Sequence, residues 1–365
     1  MPFLNRLALS GLRNIDSASL LPVPGFNVIY GDNGSGKTTL LEAMHLLGLG
    51  RSFRSHLQKP LIGYEHSEAV VFAELSSGVT LGLQRPLRGP QTIKLAGKPA
   101  EGLAQLSRTL PLQLIHADTF QLLEGSPSER RQLLDWGVFH VEHSFLGFWR
   151  RARQALDQRN ALLRAEASAG EIEPWSRELA IAATEVDASR GRYLGRLRRL
   201  IDEQLALVGT PGGQELRIDY QRGWDEDAEL ALLLTTQLER DRRYGFTTVG
   251  PHKADLRFLI RGQAAAEVLS RGQLKLLICA VKVAQAQLLI QEQNERCLFL
   301  VDDLPAELDA DHRSKVCQLL ASLGTQVFVS CIEREQLVTQ AQRQADHKGL
   351  PLALFHVKHG KIVPL

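Results

Sequence analysis

The sequence predicts an α/β fold that is interrupted by a helical insertion. Strand-like segments fill residues 4–115, helical patterns replace them from about residue 126, and α/β sequence returns before the C-terminus. A glycine-rich loop and an apolar strand that ends in two carboxylates lie on opposite sides of the insertion. The 365 residues also exceed what one compact core usually carries. These observations predict an α/β domain that is split in sequence by a helical lobe.

The strand-rich and helical segments set the predicted domain boundaries. Short apolar or alternating runs at residues 70–73, 79–83 and 92–95 are separated by Gly, Pro and Ser, which is typical of an antiparallel sheet. Little strand pattern follows until residue 216. We therefore predict an N-terminal part of the α/β domain at residues 1–125, a helical lobe at 126–245 and a C-terminal part of the α/β domain at 246–365.

The lobe has the pattern of a hairpin of two long helices. Ser126 and Glu129 are suited to cap its first helical turn. Residues 167–173 form a polar turn, and Pro174 then opens a second helix that runs to about Val208. The helix before that turn carries an apolar stripe made by Phe145, Phe148, Trp149, Ala152, Leu156 and Leu163.

A phosphate-binding loop is predicted at residues 31–38, which fit the pattern G-x-x-x-x-G-K-[ST]. A short apolar strand precedes the loop and a helical pattern follows it, which is the order of this motif. Backbone N–H groups of such a loop surround a phosphate beside the positive end of the helix. The alternative is a glycine-rich turn with an incidental lysine. The predicted nucleotide-binding residues of the loop are Gly31, Asp32, Asn33, Gly34, Ser35, Gly36, Lys37, Thr38 and Thr39.

Two carboxylates, Asp302 and Asp303, follow the apolar strand at residues 297–301. Ligands of open α/β sheets bind at the carboxyl ends of the strands, so we expect both carboxylates near the loop. We predict that Lys37 neutralises the β- and γ-phosphates and that Thr38 and Asp302 hold Mg²⁺. Asp303 would orient or activate the attacking water. Acidic residues also end many strands without any such role.

A second candidate anion site comprises Ser270, Gly272 and Gln273, in the segment S-R-G-Q directly before an apolar helix. A serine, a glycine and a helix N-terminus can together bind phosphate, here that of a second nucleotide. The alternative is an ordinary serine N-cap. Lys275 and Lys282 interrupt the apolar run that follows, which favours a core helix over a membrane span.

The order of these motifs resembles the head of SMC and Rad50-like ABC-type ATPases, and most closely the RecF family of bacterial recombination-repair proteins. Arg271 departs from the usual S-G-G-Q signature, and no histidine follows the strand that ends at Ser330. The finer matches cover essentially the whole chain and lie at residues 12–14 (L-R-N), 33–43, 51–54 (R-S-F-R), 130–135, 248–256 (T-V-G-P-H-K-A-D-L) and 355–357 (F-H-V).

The resemblance implies an ATP-dependent clamp on DNA. Two heads would sandwich two ATP molecules with Mg²⁺, each bound by the loop of one copy and covered by Ser270, Gly272 and Gln273 of the other. Lys37, Asp303 and Ser270 would be catalytic, and slow, DNA-stimulated hydrolysis would release the homodimer from DNA. The family acts on single-stranded or gapped DNA in repair, replication and the SOS response, and it supports RecA loading with the partners RecO and RecR.

Arginine side chains crowd the second helix of the predicted hairpin, where no carboxylate lies between Asp187 and Asp202. Guanidinium groups on one helix face fit sequence-independent contact with phosphates. The alternative is a solvated face with ion pairs to Glu185 and Glu203. The predicted DNA-binding residues are Arg51, Arg54, Arg150, Arg151, Arg153, Arg192, Arg196 and Arg199, of which Arg192, Arg196 and Arg199 share one face.

Composition narrows the class of protein. The net charge of +2 is only mildly basic, so affinity for DNA must come from a local cluster. Four single cysteines without metal-ligand spacing predict buried, reduced thiols in a cytoplasmic protein.

Two other functions remain open. One is the nucleotide-binding subunit of a membrane transporter, although the stretch between the glycine-rich loop and Asp302 is longer than such subunits usually have. The other is an ATP-binding scaffold with negligible turnover.

Overall fold

The structure is a computed structural model that describes residues 3–55, 61–209 and 215–364. The chain divides into two compact units. The first, which we call the α/β unit, combines Met1–Phe120 with Arg271–Leu365. The second, which we call the helical unit, is Gln121–Ser270.

Strands dominate the first part of the chain and long helices its middle. The strands are β1 (Leu4–Leu12), β2 (Ile15–Leu20), β3 (Phe26–Tyr30), β4 (Glu68–Leu75), β5 (Thr80–Pro86), β6 (Thr92–Leu95), β7 (Lys98–Pro99), β8 (Leu112–Ile115), β9 (Leu216–Gln221), β10 (Asp255–Ile260), β11 (Gln263–Ala264), β12 (Leu298–Val301), β13 (Val327–Cys331), β14 (Leu352–Lys358) and β15 (Lys361–Pro364). The α-helices are α1 (Lys37–Leu49), α2 (Leu103–Thr109), α3 (Pro127–Val141), α4 (Phe145–Arg164), α5 (Ala169–Leu207), α6 (Leu230–Thr236), α7 (Leu238–Tyr244), α8 (Ala265–Val268), α9 (Arg271–Gln293), α10 (Leu304–Glu307), α11 (Ala310–Ser322) and α12 (Val338–Lys348).

Two sheets form the framework of the α/β unit. The antiparallel sheet has the strand order β2-β1-β4-β5-β6-β7 and contains the three runs predicted at residues 70–73, 79–83 and 92–95. The second sheet has the order β15-β14-β3-β13-β12-β8, in which only the β14–β15 pair is antiparallel. Parallel strands place their carboxyl ends at one edge, and that edge carries the candidate site.

Helix α1 joins the two sheets in one hydrophobic core. It contacts β1, β4 and β5 of the antiparallel sheet and β8, β12 and β13 of the second sheet. Leu40, Leu41 and Met44 are fully buried in the shared core, and apolar residues lie on all sides of this helix. A helix that is buried all round packs against several elements, so its first residue, Lys37, has a fixed position.

The predicted helical hairpin is present, with α4 packed along α5. The second helix begins at Ala169 rather than at Pro174, because Ser168 and Glu171 form a capping box that starts it earlier. Ser126 is the N-cap residue of α3 and Glu129 lies in its first turn, as predicted, but the Ser126 side chain makes no capping hydrogen bond. Trp149 does not belong to the buried stripe of α4, because 39% of it is exposed.

The three-stranded sheet β11-β10-β9 belongs to the helical unit. Strands β9 and β10 pair antiparallel, with Tyr220 opposite Leu256. The predicted boundary at residue 246 separates these two strands, whereas their hydrogen-bonded ladder keeps them in one unit that ends at Ser270.

Helix α9 is long and apolar enough to span a membrane, but 72% of its most apolar window is buried within the structure. This burial agrees with the predicted core helix. Cys279, Cys297, Cys317 and Cys331 are also buried and are free thiols, as their apolar sequence surroundings predicted.

Candidate nucleotide site

The glycine-rich loop follows β3 and is fixed at both ends by backbone hydrogen bonds. The Gly31 N–H donates to the Ile332 carbonyl over 3.1 Å, and the Gly360 N–H donates to the Ser35 carbonyl over 2.9 Å. Gly31 has φ of +149°, and a Cβ there would lie 2.1 Å from the Val357 carbonyl oxygen. A side chain at this position would therefore push the loop away from β14, so glycine is required.

Lys37 is buried beneath the loop at the start of α1. Its Nζ donates to the Gly31 carbonyl over 2.6 Å and to the Asp32 carbonyl over 3.0 Å. The ammonium group is thus held against the loop whose backbone N–H groups are suited to surround phosphate. This places a positive charge where the sequence pattern predicts that phosphates bind.

Thr38 and Asp302, the predicted Mg²⁺ ligands, are brought together by the second sheet. Cys331 lies opposite Tyr30 and Val329 lies opposite Val301, so β3, β13 and β12 end side by side. The Thr38 hydroxyl donates to Asp302 Oδ1 over 3.0 Å. A hydroxyl and a carboxylate oxygen are ligands that suit Mg²⁺, which usually takes few protein ligands beside phosphate and water.

Ser330 connects the Asp302 carboxylate to the Asp303 backbone N–H and was not predicted to have a role. Its hydroxyl donates to Asp302 Oδ1 over 2.8 Å and accepts from the Asp303 N–H over 2.8 Å. The sequence places Ser330 at the tip of a strand, but only the parallel pairing of β12 and β13 shows that it lies between the two acids. Ser330 therefore orients Asp302 toward Thr38.

Replacing Ser330 with alanine is expected to reduce affinity for Mg²⁺ with ATP about tenfold. A hydrogen bond to a charged group is worth about 1.5–3 kcal/mol, and Asp302 would lose one while the Asp303 N–H would lose its acceptor. Calorimetric titration with ATP in the presence and absence of Mg²⁺ measures the effect. Ser322→Ala, which removes a hydroxyl of α11 that donates only to the Leu319 carbonyl among the described residues, is the matched control; equal affinities in the two variants would contradict the role of Ser330.

Asp303 has an unusual environment for a carboxylate. Its backbone is left-handed, with φ of +47°, at the turn between β12 and α10. Burial raises the pKa of Asp303 above its ordinary value, and the adjacent Asp302 carboxylate raises it further. Its Oδ1 is buried without a hydrogen-bond partner among the described residues. A carboxylate with a raised pKa and a vacant oxygen is suited to accept a proton from a bound water.

These side chains line one cavity of about 380 Å³. Arg54 is part of the lining, although the sequence associated it with DNA, and Ser35 contributes a buried hydroxyl that has no partner in the described part of the chain. Gly272 and Gln273 are not among the lining residues. The lining comprises Arg13, Asn14, Asn33, Gly34, Ser35, Gly36, Lys37, Thr38, Thr39, Arg54, Asp302, Asp303 and Ser330.

Arg13 and Asn14 lie in the turn between β1 and β2. From there Asn14 contacts the glycine-rich loop and Arg13 contacts helix α1. Asn14 Nδ2 donates to the Gly34 carbonyl over 2.7 Å, and its Oδ1 accepts from the Thr39 hydroxyl over 3.0 Å. Arg13 Nη2 donates to Glu42 of α1 over 2.7 Å. The L-R-N segment is a match to the RecF family, but nothing in the sequence predicts that this turn contacts the loop.

Gly272 near the start of α9 is partly exposed and lies against His312 of α11. A Cβ at Gly272 would lie 2.8 Å from the His312 ring, whose Nδ1 lies 2.9 Å from the Asp309 carboxylate. A side chain at this position of S-R-G-Q would therefore displace the imidazole from its place beside Asp309. Ser270 directly precedes the helix, so its position suits both the predicted anion site and the alternative serine N-cap.

The predicted DNA-binding arginines of the helical unit lie on α4 and α5, and most of them form ion pairs. Arg192 Nη2 donates to Glu142 over 3.1 Å, and Arg196 pairs with the same carboxylate. Arg199 lies 3.4 Å from Glu203, the ion pair expected for a solvated helix face. The carboxylate beside Arg192 and Arg196 is that of Glu142, where Glu185 was expected. Arg151 pairs with Glu178 and Arg153 with Asp157, whereas Arg150 is exposed and Arg51 is an exposed residue of the α/β unit.

Comparison with known proteins places the chain in a family. The profile of the RecF/RecN/SMC N terminal domain matches residues 3–347. The DNA replication and repair protein RecF of Pseudomonas paraeruginosa is 47% identical to this chain, over 98% of this chain and 97% of that protein. The chain belongs to the RecF family. The transporter-subunit interpretation is therefore set aside.

Solved structures share the fold of this chain. A structure described as the recombination mediator protein RecF-ATP in the RecFOR pathway has a TM-score of 0.84 and 24% identity, over 100% of this chain and 99% of that chain. The Smc head domain of Pyrococcus furiosus, bound to the C-terminal domain of ScpA, has a TM-score of 0.61 and 18% identity, over 100% of this chain and 96% of that chain. These similarities confirm the predicted fold, an ABC-type ATPase head with a helical insertion.

Proposed function

We propose that this chain is an ATP-dependent DNA-binding protein of recombinational repair that dimerises on ATP and hydrolyses it slowly. One observation carries the proposal: Lys37, Thr38, Asp302 and Asp303 converge on one cavity at the carboxyl edge of the second sheet. Family membership supports the role in DNA repair and replication. The resemblance further supports RecA loading with RecO and RecR, a part in the SOS response, and a cytoplasmic location.

The residues of the cavity fit ATP and Mg²⁺. The loop backbone and Lys37 would hold the phosphates, while Thr38 and Asp302 would hold Mg²⁺. When bound, Mg²⁺ with ATP supplies a γ-phosphate that can be transferred to water. Asp303 would hold the proton of that water at its vacant Oδ1, and its raised pKa makes it a better proton acceptor than an ordinary carboxylate.

The position of the S-R-G-Q segment supports dimerisation. Ser270 and Arg271 are exposed, and neither Gly272 nor Gln273 lines the cavity of its own chain. The N-terminus of α9 does not reach the nucleotide cavity of its own chain, so it can cover the cavity of another copy. We therefore propose that Ser270, Gly272 and Gln273 bind the γ-phosphate held by the second subunit.

Sedimentation of the purified protein tests this function. We expect a monomer without nucleotide, a dimer with ATP, and a dimer that retains a gapped duplex only while ATP is present. Undetectable hydrolysis together with ATP-dependent dimers would favour the scaffold alternative. A particle that stays monomeric with ATP would overturn the proposed function.

Replacing Arg192, Arg196 and Arg199 with glutamine is expected to weaken DNA binding and to flatten its dependence on salt. Fewer phosphate contacts release fewer counterions, so the slope of affinity against salt becomes smaller. Fluorescence anisotropy with a labelled duplex at several salt concentrations measures both effects.

Glu142→Gln is the matched control for this face. It removes the carboxylate that pairs with Arg192 and Arg196 and leaves both arginines in place, so DNA affinity should rise. Unchanged affinity in both variants would exclude this face of α5 as the DNA contact.

A further inference from the structure

The helical unit contains a pocket of about 230 Å³ that the nucleotide site does not use. Two segments that matched the RecF family without any assigned role meet here, residues 130–135 and 248–256. The pocket also involves α4 and α5. Its lining comprises Ser128, Arg131, Gln132, Asp135, Trp149, Ala152, Arg153, Leu156, Val186, Arg190, Pro251 and His252.

Arg131 gives the pocket an unneutralised positive charge. Its Nη1 donates to the Ala254 carbonyl over 2.7 Å, and no carboxylate of the described residues forms an ion pair with it. Burial lowers the pKa of Arg131 below its ordinary value and the nearby Arg190 lowers it further, whereas the Asp135 and Asp255 carboxylates raise it; the group stays protonated at neutral pH. A partly buried guanidinium with unused donors is suited to bind an anion.

The one carboxylate of the pocket is already neutralised. Asp135 accepts from Arg190 Nε over 2.8 Å and from Arg190 Nη2 over 2.9 Å, in a two-bond ion pair. Arg190 also donates to the Pro251 carbonyl over 3.1 Å, so its orientation is fixed. Arg153 is paired with Asp157, so it is Arg131 that leaves the lining net positive, which favours an anionic ligand.

An aromatic and apolar wall completes the pocket. Trp149 is 39% exposed, and Leu156, Val186 and Pro251 lie around the same space. His252 Nε2 lies 3.0 Å from the Thr247 carbonyl, and burial lowers the pKa of His252 to about 4, so the ring is neutral at pH 7. A pocket that offers both a cation and an exposed indole has the two groups that bind a phosphate and its base.

We propose that this pocket binds a nucleotide with an unpaired base, its phosphate on Arg131 and its base stacked against Trp149. The source to which we commit is a nucleotide of single-stranded DNA, and this choice rests on the proposed DNA-binding function. Sequence-independent binding is expected, because every base can stack while the arginine reads only the phosphate.

Anisotropy of a labelled oligothymidylate tests the pocket in the full-length protein with ATP. Arg131→Gln and Trp149→Ala are each expected to weaken binding about tenfold, since a charge-assisted hydrogen bond or one stacked base contributes at that scale. Trp149→Phe keeps an aromatic ring and should keep most of the affinity. Arg177→Gln is the matched control, because Arg177 lies on α5, is 70% exposed and pairs only with Glu173 among the described residues.

Each outcome bears on the pocket. If Arg131→Gln and Trp149→Ala bind oligothymidylate like Arg177→Gln, the pocket proposal is overturned. Competition by inorganic phosphate as strong as that by dTMP would overturn the stacking role of Trp149. Tighter binding of dTMP than of oligothymidylate would overturn DNA as the source. ATP-dependent dimers that retain gapped duplex in all variants would leave the proposed function standing even when the pocket fails.

Discussion

Lys37→Ala is expected to lower ATP affinity about a hundredfold or more. Each hydrogen bond to a charged group is worth about 1.5–3 kcal/mol, and Lys37 is placed to make more than one to the phosphates. Its Nζ now donates to the Gly31 and Asp32 carbonyls, which would also lose their donor. Equilibrium titration with a fluorescent ATP analogue measures the loss.

Two further variants separate the charge of Lys37 from its shape. Lys37→Arg keeps the positive charge, so it should retain more ATP affinity than Lys37→Ala while the larger guanidinium disturbs the buried position and slows hydrolysis. Lys98→Ala removes an exposed lysine of the same unit and should bind ATP normally. Wild-type affinity in Lys37→Ala, with circular dichroism showing an intact fold, would contradict the assignment of the nucleotide site.

Arg159→Met is expected to destabilise the helical unit by about 3–5 kcal/mol, because it leaves a buried carboxylate without its cation. Arg159 and Asp241 have fully buried side chains whose charged groups lie 2.7 Å apart. Arg159 also donates to Ser176 over 2.9 Å, to Thr247 over 2.7 Å and to the Leu234 carbonyl over 3.0 Å. These bonds connect α4 and α5 to α6 and to the segment that follows α7.

Urea unfolding followed by tryptophan fluorescence measures this loss within one unit. All four tryptophans of the chain lie in the helical unit, so the signal reports that unit directly. Arg177→Met, at an exposed pair on the same helix as Ser176, should change stability by about 0.5 kcal/mol or less. Arg159→Met with Asp241→Asn removes the unpaired charge and keeps an acceptor for Thr248, so it should recover part of the loss; a double variant that is less stable than Arg159→Met would contradict the ion-pair argument.

Local patterns in the sequence were sufficient to predict the loop, its helix and the strand before Asp302. These depend on neighbouring residues, because a tight turn needs glycine and a buried strand needs a continuous apolar run. The same patterns were misleading for Trp149, which has helical spacing with buried residues but borders a pocket. Helix α5 begins before the predicted Pro174, because the capping box of Ser168 and Glu171 starts the helix at Ala169.

The sequence by itself determined the α/β class, the helical insertion, the residues of the phosphate loop and the RecF-like order of motifs. Only the tertiary structure decided which distant residues share a site. The parallel pairing of β12 and β13 places Ser330 between Asp302 and Asp303, and the turn at Asn14 supports the loop. Packing of α3 and α5 with the Pro251 segment likewise brings Arg131 and Arg190 into one pocket. Periodicity reports which face of an element is buried, whereas the partner of that face depends on strand order and helix packing, which sequence spacing does not contain.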